Sequence, residues 1–204
     1  VVRTFTDHVL LSGDKHREAL RRLLGAFSVY NVRTGYCQGL NFVAAWLLLF
    51  YPETDAFWML CYVVEDVLVD YYSSDTIGVS VDILVWKHIC RSKMPRLMAH
   101  FEALDFPVEA VLTRWLMCSF VGVLPSESTA RVWDVMIGDG SETLVLVAAA
   151  IARERDRSAL DAERRALVRG HVVAYAQLDA ARPEAAFAAA RQLWTPGTSL
   201  TLSQ

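Results

Sequence analysis

Two side-chain amides, Gln38 and Asn41, lie within the stretch Arg33-Thr34-Gly35-Tyr36-Cys37-Gln38-Gly39-Leu40-Asn41. The stretch falls between two apolar helical runs. Gly35 suits the left-handed conformation that closes a helix, so one helix is expected to end there. A second is expected to start near Gln38, with Gln38 and Asn41 in its first turn. A polar amide at a helix start, aimed away from the core, suits holding a water or a phosphate oxygen. A plain helix–turn–helix corner with polar caps accounts for the same residues. On local chemistry alone it is the simpler account.

Other chemistries find little support. The histidines, His8, His16, His88, His100 and His171, show no metal spacing such as His-Glu-x-x-His. His88 and Cys90 sit two apart on a helix and do not share a face. No Gly-x-Ser-x-Gly elbow occurs. The cysteines Cys37, Cys61, Cys90 and Cys118 sit in apolar helical contexts and form no Cys-x-x-Cys pair. Buried reduced thiols are expected, with neither a metal site nor a disulfide framework. Nothing visible activates any of them as a nucleophile. Gly138-Asp139-Gly140 follows a helix and lacks a Lys-Ser/Thr pair, so it reads as a helix connection and not a phosphate loop.

Tyr36-Cys37-Gln38-Gly39 with Asn41 resembles the Tyr-x-Gln signature of the TBC domain, the catalytic module of Rab GTPase-activating proteins. Val2-Arg3-Thr4-Phe5 is similar to the end of that family's Ile-x-x-Asp-x-x-Arg-Thr motif. The likeness continues through Tyr71-Tyr72, Pro95, His100, Trp115, Phe120, Leu124-Pro125, Arg131-Val132-Trp133-Asp134 and Gly138. Their order and spacing resemble the second half of a TBC domain. The resemblance covers roughly residues 1–155 well and the remainder loosely.

It implies an arginine finger and a glutamine finger supplied in trans to a Rab-family GTPase. GTP hydrolysis by a small GTPase is slow because the γ-phosphate charge is poorly stabilised and the attacking water poorly placed. A partner's arginine is worth roughly 10³ to 10⁵ in rate, and a glutamine can hold the water in line. By this resemblance the catalytic residues are Arg3 and Gln38. Tyr36 would position the loop, with Gly39, Asn41 and Thr4 as supporting or partner-contacting groups. Trp133 is expected in the core, with Asp134 a polar anchor between helices. GTP and magnesium would be held by the GTPase, so no cofactor is expected here. The family's aspartate before Val1 and its upstream Arg-x-x-x-Trp are absent, and Thr6 stands where proline is common. An N-terminally truncated and weaker activator is therefore expected. The competing reading is a TBC-like module that binds a Rab or a scaffold without catalysis.

The bulk properties agree with a single large domain. Of 204 residues, 54% are hydrophobic and 21% charged, ample for a buried core. A net charge of −3 and a pI near 6.0 argue against a nucleic-acid binder. The longest apolar run, residues 42–51, is too short to span a bilayer. No signal peptide is recognised. The expected location is cytoplasmic, peripheral on endomembranes through the lipidated GTPase, in the service of vesicle trafficking.

The expected elements are all helical, in two lobes, approximately 1–105 and 106–195, with a cleft between them and a frayed tail at 196–204. Ala19, Leu20, Leu23, Leu24, Phe27 and Tyr30 mark a first helix, whose basic face (Lys15, Arg17, Arg21, Arg22) is solvated. A central helix runs from about Gln38 to Phe50 and stops at Pro52. Thr54 or Asp55 caps the next. Tyr71 to Asp75 form a turn. A long helix from Ile77 turns Val81, Leu84, Val85, His88 and Ile89 inward, and Pro95 bends or restarts it. Pro107 is a first-turn proline. The stripe Val108, Val111, Leu112, Trp115, Leu116, Phe120 and Val123 reads as one helix. Ser126 caps another, ending near Gly138, and Ser141 caps Leu144 to Ile151. Further helices are expected around Val168 to Leu178 and Phe187 to Trp194. No alternating strand pattern appears.

Overall fold

Leu20, Leu23, Leu24 and Phe27 recur at helical spacing and form the buried face of α1 (Asp14–Tyr30) in the computed structural model, which describes residues 13–158. All the regular elements among the described residues are helical. Tyr30, expected inward, is half exposed instead. Its ring meets those of Phe57 and Trp58 edge-on at 5.5 and 5.9 Å.

Helix α2 (Leu40–Leu47) is the central rod. It is apolar apart from Asn41, and all its residues except half-buried Phe42 are buried. It ends in a turn at residues 48–50, before the expected Phe50. Pro52, in extended backbone, is itself the cap of α3 (Glu53–Tyr62), so neither Thr54 nor Asp55 caps it. Glu53 and Asp55 lie in the first turn, where carboxylates favour the helix dipole. The helix then widens into a π turn, Val63–Val67, closed by Leu68 N–H donating to the Val63 carbonyl at 2.7 Å. Such widenings are rare inside helices.

Helix α4 (Ile77–Lys93) is placed as expected but rotated. Its buried stripe is Val79, Ile83, Trp86 and Cys90. Val81 is 50% and Leu84 65% exposed, and His88 is exposed as well. The helix carries apolar residues on two faces at the same spacing, so periodicity alone cannot choose between them. Gly78 chooses. A Cβ there would lie 2.5 Å from the Val69 carbonyl oxygen and 2.8 Å from the Tyr71 ring. Only a glycine lets this face of α4 close onto the preceding turn.

Pro95 starts α5 (Pro95–Ala103). Pro107 precedes α6 (Val108–Met117) as its cap and is not in its first turn. Helix α6 stops short of the expected stripe: Ser119 and Phe120 both take left-handed backbone, φ 46° and 61°. Phe120 and Val123 are buried, but in a turn. Ser126 is the first residue of α7 (Ser126–Asp139), with Pro125 as its cap. Ser141 precedes α8 (Glu142–Ser158) and its carbonyl accepts from Leu144 at 2.9 Å.

Helices α1, α2 and α3 pack on one another, α4 packs on α5, α6 and α8, and α7 packs on α8. One continuous cluster of buried side chains, from Leu20 to Ala152, joins elements on both sides of residue 105. Among the described residues, no helix is long and apolar enough to cross a membrane. The expected helices around Val168 and Phe187 and the tail from Pro196 lie outside the described residues.

Candidate functional site

The loop between α1 and α2 is tied down at both ends. Helix α1 stops at Tyr30, ahead of Gly35. Asn31 follows, and its short amide competes for local backbone groups as asparagine does in turns. Its Oδ1 accepts from Thr34 N–H at 2.9 Å, and its Nδ2 donates to Glu65 Oε1 on the π turn at 2.9 Å. Gly35 does take the expected left-handed conformation (φ 58°), yet it closes this following turn: its N–H donates to the Asn31 carbonyl at 2.8 Å. Arg33 reaches Asp70 Oδ1 at 2.8 Å, an exposed pair of small worth.

At the far end, Gly39 is the cap of α2, with φ 114° and ψ −42°. A Cβ on it would sit 3.0 Å from the Met117 carbonyl oxygen and 3.3 Å from the Met117 Cβ. Its N–H donates to Asn41 Oδ1 at 3.1 Å. Asn41 is only 6% exposed. The expectation that both amides share the first turn and face outward is thus corrected. Asn41 faces inward and fixes the Gly39 peptide, because the helix begins at Leu40. Gln38 precedes the helix, in a turn, and is exposed. Tyr36, on the same loop, is 55% exposed. The arrangement leaves an outward amide on a backbone anchored from beneath. Such an amide can both donate to and accept from a water or an oxyanion.

The anchor is built by residues far away in sequence. Tyr72 donates its hydroxyl to the Met117 carbonyl at 2.8 Å. Trp133 donates Nε1–H to the Ser119 carbonyl at 3.0 Å. Tyr71 donates to Asp82, across to α4. Tyr71 and Tyr72 do lie in the expected turn, but both are buried. Trp133 is in the core as expected. Asp134 is exposed and faces Arg131 on its own helix at 4.0 Å, so it does not anchor one helix to another.

The thiols offer no competing chemistry. Burial pushes Cys61 and Cys118 up to about 11 and Cys90 up to about 12. Cys37 is also raised by burial, with a smaller opposing contribution from the Gln38 backbone. Raised thiols are poor nucleophiles at neutral pH. Cys37 lies in the loop and Cys118 in a turn, not in helices as expected.

Arg3 and Thr4 lie outside the described residues. Of the predicted groups, the structure brings Gln38, Gly39, Asn41 and Tyr36 together. Sequence reasoning missed the supports: Asn31 with Glu65, Arg33 with Asp70, and Tyr72 with Met117. A sequence signal existed for Tyr72 alone, since two adjacent tyrosines in a polar turn are unusual ballast for a solvated loop.

Comparison with known proteins decides the class. A family model described as the Rab-GTPase-TBC domain matches residues 1–160. The chain belongs to this family. It is 34% identical over 164 residues to human growth hormone-regulated TBC protein 1, covering 78% of this chain and 49% of that protein. The rat protein of that name is 32% identical, again with 78% of this chain and 57% of that protein covered. The chain thus spans about half the length of the curated relatives it matches. Among solved structures it is similar to the Chlamydomonas flagellar RabGAP TBC domain, with a TM-score of 0.77 and 32% identity over 94% of this chain and 64% of that one. The Ypt/Rab-GAP domain of Gyp1p shares the fold, with a TM-score of 0.76 at 16% identity, covering 95% of this chain and 69% of that one.

Proposed function

We propose that this TBC domain accelerates GTP hydrolysis by a Rab-family small GTPase. Gln38 enters the partner's nucleotide site to orient the attacking water, and Arg3 supplies positive charge to the phosphates. The observation that carries the reading is the exposed amide of Gln38 on a loop fixed by Asn31, Gly39 and Asn41. Family membership supplies the partner class. A preset donor is worth more than a flexible one, because no reorganisation is needed as charge develops. GTP and magnesium belong to the GTPase in this reading. Vesicle trafficking and a cytoplasmic, endomembrane-peripheral location follow from it as expectations.

Single-turnover hydrolysis on a panel of GTP-loaded Rabs tests the proposal. Gln38→Ala should lower the maximal rate about 10²- to 10³-fold, as loss of one preorganised donor does. Arg3→Ala should cost roughly 10³-fold or more, in the range of an arginine finger. Both variants should keep their binding to the GTPase. Binding without acceleration on any Rab would reject the enzyme-activating reading and leave a binding module.

A further inference from the structure

We propose that Tyr72 is a positioning residue for Gln38. Its hydroxyl holds the Met117 carbonyl as a ledge, Gly39 packs on that ledge, and the direction in which Gln38 leaves the surface is thereby set. The inference rests on the reading of Gln38 as the water-orienting group.

The last carbonyls of a helix need partners from outside it. After α6 the left-handed pair Ser119 and Phe120 turns the chain sharply. Phe120 N–H donates back to Trp115 and Val121 N–H to Cys118. The Met117 carbonyl, lying between these acceptors, is taken by Tyr72 at 2.8 Å. The same oxygen lies 3.0 Å from where a Gly39 Cβ would be, so any shift in it is felt by the peptide next to Gln38. Tyr72 is buried, and no solvent can easily stand in for its hydroxyl. Burial drives its phenol well above the ordinary value, with Cys118 adding to the effect, so it stays a proton donor. The turn that presents it is held in its own right. Tyr71 is bonded to Asp82, and Gly78 N–H donates to the Asp70 carbonyl at 3.2 Å. Two non-glycine residues in left-handed backbone are costly and are retained where surrounding contacts over-determine them. Trp133 bonds the Ser119 carbonyl directly, and Tyr72 bonds Met117 just before the pair.

The test compares the 204-residue chain with Tyr72→Phe, Gln38→Ala and the double variant. Two readouts are used: the maximal single-turnover rate on a GTP-loaded Rab and amide hydrogen exchange. Tyr72→Phe keeps the ring and loses the donor. The expected result is a rate about tenfold lower at unchanged half-saturating concentration, since small misplacements of a catalytic group are costly. Exchange at residues 36–41 should rise about tenfold and stay unchanged in α3 and α8. In the Gln38→Ala background the tyrosine change should lower the rate no further. Incorporating 4-aminophenylalanine at position 72, which restores a donor, should return the rate to within about twofold. If Tyr72→Phe does not fold, 4-methylphenylalanine fills the hydroxyl's volume without donating and carries the same comparison. A folded variant with wild-type rate and exchange overturns the proposal, whatever Gln38→Ala does. Accelerated loop exchange alongside a fully active Gln38→Ala overturns the catalytic meaning of the strut together with the reading of Gln38.

Discussion

Two corners of this molecule look alike in sequence and differ in the structure. Arg33 to Asn41 and Gly138-Asp139-Gly140 each join helices, each contain two glycines, and each tempt a reading as a phosphate cradle. Gly39 and Gly140 both adopt positive φ, 114° and 98°. The resemblance ends there. At the α6 end the Met117 carbonyl oxygen lies 3.0 Å from where a Gly39 Cβ would be, whereas the nearest group to a Gly140 Cβ is the flexible Glu142 carboxylate at 4.0 Å. Gly138 lies inside α7, and a Cβ there would meet nothing within 4 Å beyond its own helix. One corner is braced from three directions and displays an exposed amide. The other merely reverses the chain. A glycine pair therefore reports a turn, and it takes close backbone packing to make that turn a platform.

Substituting the glycines should separate the two. Gly39→Ala meets both strain and a carbonyl, so we expect a loss of about 2–3 kcal/mol in urea unfolding. It should also lower activation on a GTP-loaded Rab, since Gln38 is displaced with its neighbour. Gly140→Ala carries a backbone penalty of about 1–2 kcal/mol. Its maximal rate should match the wild type once the folded fraction is accounted for. Equal loss of activity in the two would mean that the braced corner is no platform for Gln38. Gly138→Ala should change sign and stabilise by up to about 0.5–1 kcal/mol, because alanine is the better helix former and the space is open.

How far the sequence led can be judged on particular residues. The helical class and the order of elements were legible because apolar residues recur every three or four positions from Leu20 to Ile151. Gln38 was legible as a candidate through its motif, and its exposure fits that reading. The inward turn of Asn41 was not. It depends on α2 starting at Leu40, and a helix boundary cannot be read to that accuracy when glycine and glutamine both precede it. The buried face of α4 was missed because two apolar stripes compete, and the arbiter, Gly78, works through contact with Val69 and Tyr71. The tyrosine pair marked Tyr72 as unusual, but its partner Met117 was not legible, because the bond joins residues distant in sequence through a backbone carbonyl. Local patterns find elements and exposed chemistry. Contacts that hold a loop still are long-range, and periodicity carries no trace of them.

The smallest effect we expect is a dependence on pH. On α4, Asp82 accepts from Tyr71, and burial holds its carboxyl above the ordinary carboxylate value, outweighing the bond from Tyr71, with the Glu142 carboxylate adding to the rise. The unfolded chain therefore gives up this proton first as pH rises. Between the ordinary value and the raised one the folded state binds more protons, so Asp82 costs stability as pH climbs through that window. Asp82→Asn keeps an acceptor for Tyr71 and cannot ionise. Chemical unfolding of the two proteins side by side should show the variant gaining on the wild type from pH 4 towards neutrality, with the gain levelling off above the raised value. Gly140→Ala should follow the wild-type pH dependence throughout, since it leaves in place both Asp82 and the Glu142 carboxylate that adds to its rise. A variant that loses ground as pH rises would mean that the charged form of Asp82 is favoured where it sits, and that the Tyr71 bond, not burial, governs its carboxyl.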